Sequence, residues 1–189
     1  MVTAGGTPVG ATNDEWFCHW RLLINIKAVY PNSMTREIAL QLYQVGRSHA
    51  LSAFELYRAS IRYAEERGLE DPEHFAFNGT FSLSTHYLLG LGLELMLKAA
   101  VCLVEVEISP NDLKRLGHNL LDALDRIERG NFDHDMTALR NLVEIMHQPY
   151  LSHWLRYEHP DQFFLPGDLA QVQETLRLFD ETLEATFQE

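Results

Sequence analysis

With 189 residues, 46% of them hydrophobic, the chain is long enough for one domain of ordinary size that needs no disulfide or metal staple to fold. Its 15 basic and 27 acidic residues give a net charge of −12, which argues against broad, sequence-independent binding to DNA or RNA, because that mode neutralises many phosphates. A small local basic site remains compatible with that balance.

Residues 1–12 carry no basic residue and no apolar run of signal-peptide length, and read as a flexible tail ahead of one helical domain over 13–189. Cys18 and Cys102 lie far apart, so both read as thiols of a reducing compartment, with the cytoplasm as the default location. Asn13 and Asp14 can cap a short helix that Pro31 closes, with Trp16 and Trp20 spaced for one face.

From Met34 to Arg67, Ile38, Leu42, Val45, His49, Ser52, Leu56, Ala59 and Tyr63 recur at alternating steps of four and three residues. A second row, Tyr43, Ala50, Phe54, Tyr57 and Ile61, lies beside it, so the spacing predicts a long helix covered by more than one neighbour. Gly68 ends it, and the connection through Pro72 and Asn78-Gly79 leads to Thr80, expected to open the next helix.

That helix contains LLGLGLELMLKAAVCLV, residues 88–104, in which Glu94 and Lys98 are the only charges. Two mid-segment charges and amphipathic neighbours favour a buried central helix over a membrane span. Gly90 and Gly92 each cost a helix about 1 kcal/mol relative to alanine, a loss usually offset by close approach of a neighbour. The two long helices are expected to form an antiparallel pair.

Further on, NDLKRL reads as a short helical piece ended by Gly117, and Asn119 caps a helix that stops at Gly130. A helix from about Asp133 to Met146 follows, and Pro149 constrains its end. Residues 149–167 read as an ordered, aromatic-rich loop, and Asp168 caps a final amphipathic helix. No stretch alternates as a strand. The expected fold is an all-α bundle of five to six helices around the two long antiparallel ones.

The run GLELMLKAAVCLVEV, then LKRLGHNLLDAL, and later WLRYEHP, resembles the helical HEPN superfamily over roughly residues 33–187. The resemblance implies a compact bundle, frequently a homodimer. The superfamily contains metal-independent ribonucleases, many of toxin or defence type, and also members without catalysis that serve as partners or nucleotide-binding companions. The ribonucleases use an arginine, often with a polar residue just after it, and a histidine a few residues on. Arg140, Asn141 and His147 fit that description.

Seven residues carry an α-helix through nearly two turns, so Arg140 and His147 share a face about 10 Å apart along the axis. Metal-free ribonucleolysis needs a base for the 2′-hydroxyl and a cation for the transition-state charge, which histidine and arginine supply. The competing reading is a solvated face: Glu144 stands at ion-pair spacing from Arg140 and would repel a phosphate, and a histidine near a helix end is favoured as a cation.

The second constellation is the signature set Glu94, Lys98, His118, Asn119, Arg156 and Tyr157. Glu94 and Lys98 have the favourable orientation for a helical ion pair in apolar surroundings, and His118 can reach them. Either a polar latch between helices or a ligand pocket follows. A metal site is a third reading, from His147, His153 and His159 at six-residue steps and the cluster Asp133, His134 and Asp135, but those steps fix no common direction.

No phosphate loop, paired-cysteine motif, dinucleotide fingerprint or nucleophile elbow is present. The sequence therefore predicts a cytoplasmic helical module that dimerises or binds a partner protein, RNA or a nucleotide, with no cofactor and no membrane. The alternative is an endoribonuclease using Arg140 and His147.

Overall fold

The structure, a computed structural model, describes residues 33–105, 108–130, 132–133, 135–157 and 164–188. The tail at 1–12, the expected helix after Asn13 with Trp16, Cys18 and Trp20, and the two histidines His134 and His159 lie outside the described residues.

Among the described residues there are seven helices and no strand: α1 Ser33–Glu66, α2 Pro72–Asn78, α3 Ser82–Val104, α4 Pro110–Leu116, α5 Leu120–Arg129, α6 Met136–Leu151 and α7 Leu169–Gln188. The chain is an all-α bundle. The connection after Gly68, expected as a turn-bearing link, folds into α2. The Asp71 side chain accepts from the His74 N–H at 2.9 Å and Pro72 sits in the first turn, so residues that signal a turn here also start a helix.

α1 and α3 pack at backbone distance. A Cβ on Gly46 would stand 2.9 Å from the Gly92 carbonyl oxygen and the Met96 nitrogen, and one on Gly92 would stand 2.8 Å from the Ala50 nitrogen. As α1 advances from 46 to 50 its neighbours on α3 step back toward 92, which makes the pair antiparallel. The buried row of α1 is Ala39, Tyr43, Gly46, Ala50, Ala53, Ser60 and Ala64, mostly small residues at heptad spacing. The row headed by Ile38 and Leu42 is instead half-buried to exposed, with Val45 49% and Tyr63 36% accessible. Small side chains win the inner position because only they let two helix backbones meet.

α3 is long and apolar enough to cross a membrane, yet two thirds of its most apolar window is buried inside the bundle. Leu89, Leu93, Leu97 and Ala100 are all at most 3% exposed, as the periodicity predicts for a central helix. Its start is Ser82 rather than Thr80, with Phe81 as a cap residue that offers no side-chain hydrogen bond. α7 lies along α1: Arg36 donates to the terminal carbonyls of Thr186 and Phe187 at 3.2 and 3.1 Å, and Tyr43 donates to Asp180 at 2.8 Å.

Four features of the second half position the candidate site. Ser109 and Asp112 form a reciprocal capping box at the start of α4, with Pro110 in the first turn. Gly117 then takes a positive φ of 55°, a conformation costly for a side chain, and turns the chain so that His118 faces α3. Asn119 accepts from the Asp122 N–H at 3.0 Å and caps α5. α6 begins at Met136, capped by Asp135, and runs to Leu151, past the end expected at Met146. Pro149 sits inside it, and the extra turn carries Tyr150 to α3.

Candidate functional site

Glu94 projects from the middle of α3 with 7% of its side chain exposed, where an unpaired carboxylate would be prohibitively costly. Three donors converge on it. The Lys98 ammonium, one turn on, donates to Oε1 at 2.5 Å, and the Tyr150 hydroxyl from α6 and His118 Nδ1 donate to Oε2 at 2.7 and 2.9 Å. Burial alone would raise the Glu94 pKa, but the hydrogen bonds from Lys98, His118 and Tyr150 hold it below the usual carboxylate value. The Tyr150 hydroxyl is pushed far the other way by burial and by the Glu94 charge.

Gly90 makes room for this arrangement. A Cβ there would meet the Tyr150 ring at 2.5 Å, so Gly92 accommodates a helix and Gly90 an aromatic ring. The signature residues Glu94, Lys98 and His118 are thus assembled as a latch joining α3, the turn before α5, and α6. Asn119 is a helix cap and takes no direct part.

The solvent side of the latch is cationic and aromatic. His118 keeps 42% of its side chain exposed, and the His153 ring stands edge-on to it with centroids 5.0 Å apart. Arg156 donates to His153 Nδ1 at 2.5 Å and its guanidinium lies 5.3 Å from the ring centres of both Tyr87 and Tyr157. Tyr157 is 72% exposed. Desolvation, Arg156 and His118 together lower the His153 pKa, so it is neutral near pH 7. Sequence reasoning included Arg156 and Tyr157 but missed Tyr87, Tyr150 and the partnership of His153 with His118.

The Arg140 face is built differently. Arg140 Nε and Nη2 donate to the two oxygens of Glu128 at 2.9 and 2.5 Å, Nη2 also reaches Asp125 at 2.8 Å, and Glu144 stands 3.8 Å from Nη1. Glu144 was foreseeable from its spacing; Asp125 and Glu128 come from α5 and were not. Asn141 is exposed. His147, a turn inside α6 rather than at its end, has a buried Nδ1 with no hydrogen-bond partner, and desolvation lowers its pKa. The arginine is thus tied to three acids, and the histidine is held neutral.

Among the described residues no group of three His, Cys, Asp or Glu is placed to hold a metal ion. Cys102 is a buried free thiol whose pKa burial pushes up to about 11, which makes it unreactive at neutral pH. No protein-family model, curated protein or solved structure matches the chain.

Proposed function

We propose that the chain is a HEPN-like helical module that dimerises and binds a partner protein, RNA or a nucleotide-derived ligand without catalysis of its own, in the cytoplasm. The observation that carries the non-catalytic reading is the state of Arg140. A guanidinium bonded to Glu128 and Asp125, with Glu144 beside it, has no fork free for a phosphate, and an incoming phosphate would meet three carboxylates. The α3 latch of Glu94, Lys98 and His118, together with the antiparallel pair α1 and α3, supports the HEPN-like reading. The half-exposed row on α1, with Val45 49% accessible, offers a second copy apolar residues at heptad spacing, interrupted by His49 and Ser52.

The alternative, a metal-independent endoribonuclease of toxin or defence type, draws on His147, a neutral imidazole suited to act as a base. The test is incubation with structured and unstructured RNA in EDTA, comparing the natural chain with His147→Ala. The proposed reading expects no cleavage by either protein. Cleavage that survives EDTA and vanishes in the variant overturns it. Light scattering at micromolar concentration tests the dimer, and an exclusively monomeric species refutes that part.

A further inference from the structure

The chain from Pro149 to Tyr157 ends α6 in an unusual way. Trp154 N–H bonds to the Pro149 carbonyl at 3.0 Å and His153 N–H to the Tyr150 carbonyl at 3.1 Å, the paired bonds of a helix end whose next residue is left-handed. Glycine normally fills that position. Here it is His153, with φ 59°, the one non-glycine residue with positive φ among the described residues. A side chain in that conformation carries a steric penalty, so the fold would be better served by glycine there.

What the histidine adds is a place in a cationic cluster. His118 spends Nδ1 on Glu94, and His153 spends Nδ1 on Arg156, so both imidazoles have an Nε2 without a partner among the described residues. The Arg156 guanidinium is exposed beside them, braced between Tyr87 and Tyr157. Among the described residues, the charged groups in contact with the cluster are Glu94 and Lys98 from α3, which neutralise each other in a 2.5 Å pair, and Arg156. Tyr150 from α6 stands edge-on to His118, Tyr157 edge-on to His153, and Tyr87 from α3 lies against Arg156. These groups together carry +1 with both imidazoles neutral and +2 with His118 protonated, on a chain whose total is −12.

We propose that His118, His153 and Arg156 form a binding site for a phosphate monoester, in which the buried Glu94 orients His118 and the strained His153 is retained for its imidazole. The proposal rests on the reading of the chain as a binding module and supplies the ligand chemistry for it. A dianion at this spot favours a proton on His118 Nε2, since an opposite charge within contact distance raises a histidine pKa by about one unit or more, whereas His153, whose Nδ1 accepts from Arg156, donates its Nε2–H while neutral. Affinity for the dianion should therefore strengthen on acidification by about tenfold, for the one imidazole whose protonation is coupled.

The test is an NMR titration of the histidine Hε1 signals of the full chain with inorganic phosphate and, separately, with a nucleoside 5′-monophosphate, at pH 6 and pH 8. His118 and His153 signals should shift saturably at pH 6 and about tenfold more weakly at pH 8, while His49 on α1 stays unmoved. His153→Gly should raise the Tm and abolish the response, and Arg156→Gln should weaken it about tenfold while leaving the Tm unchanged. If the nucleotide also shifts the Tyr157 ring signals, the phosphate is carried on a nucleoside; if both ligands act alike, free phosphate suffices. No shift of His118 or His153 in either ligand, or undiminished binding by folded His153→Gly, overturns the proposal. RNA stability and the dimer measurement are unaffected by that outcome, so the two readings fail separately.

Discussion

Replacing Glu94 by leucine tests whether the latch is held by attraction or by the cost of breaking it. The substitution removes the acceptor of three hydrogen bonds and leaves Lys98, only 12% exposed, without a counter-ion. Hydrogen bonds to a charged group are worth about 1.5–3 kcal/mol each, about 5–9 together, but the lost desolvation cost of the carboxylate offsets part of this. Breaking a buried pair from one side costs about 3–5 kcal/mol, and that is the expected loss. A domain holding about 5–15 kcal/mol would be left marginal. Replacing Glu94 by leucine and Lys98 by methionine together removes both charges, leaving the Tyr150 hydroxyl as the orphan and His118 free to turn to water. The double variant should lose about 1–3 kcal/mol, less than the single one, and Tyr150→Phe added to it should recover part of that. Urea unfolding followed by far-ultraviolet circular dichroism, with unchanged slope, reads these differences. A double variant as unstable as Glu94→Leu alone refutes the reasoning.

Acid should weaken the fold in two stages. His86, fully buried, has its pKa lowered from 6.5 by desolvation, against the carbonyls of Ser82 and Pro166, and His147 and His153 are lowered too. Groups with depressed pKa in the folded state give stability that is complete above pH 6.5 and falls as pH drops below it, because the unfolded chain takes up the protons first. Glu94 adds a second fall below its ordinary 4.5, and urea midpoints from pH 8 to pH 3 should show both. Gly92→Ala should lower the Tm even though alanine is the better helix former by about 1 kcal/mol, because its Cβ meets backbone atoms of Ala50 and Gly46 that cannot turn aside; differential scanning calorimetry showing a rise would refute the close packing. Asp125→Asn with Glu128→Gln frees Arg140 from two of its acids, and the binding reading expects RNA to remain intact with this variant in EDTA.

The all-α class and the central position of α3 were legible because an apolar surface on all sides of a helix can only be buried. The inner row of α1 was legible only at Tyr43 and Ala50, since hydrophobic periodicity weights Ile38, Leu42 and Val45 above Ala39, Gly46 and Ala53, whereas packing at backbone distance reverses that order. Within the latch, Glu94 and Lys98 were readable from four-residue spacing and a low-dielectric setting. His118 was readable only as a candidate, because its approach depends on the positive φ of Gly117. The acids that hold Arg140 come from a neighbouring helix, and spacing along one helix says nothing about the next.

Tyr150 marks the limit most clearly. Pro149 is expected to constrain the helix end, because in isolation a proline removes a backbone donor and disfavours the preceding turn. Here α6 continues through it for two more residues. The loss of one hydrogen bond is offset locally by burying the Tyr150 ring against Gly90 and joining its hydroxyl to Glu94, interactions that no local rule contains. The same extension sets where α6 stops, and so places His153 at the left-handed residue beside His118. The cationic face and the core contact are therefore built by one turn: Tyr150, bonded to Glu94, supplies the carbonyl that accepts from His153 N–H and so helps fix that residue beside His118.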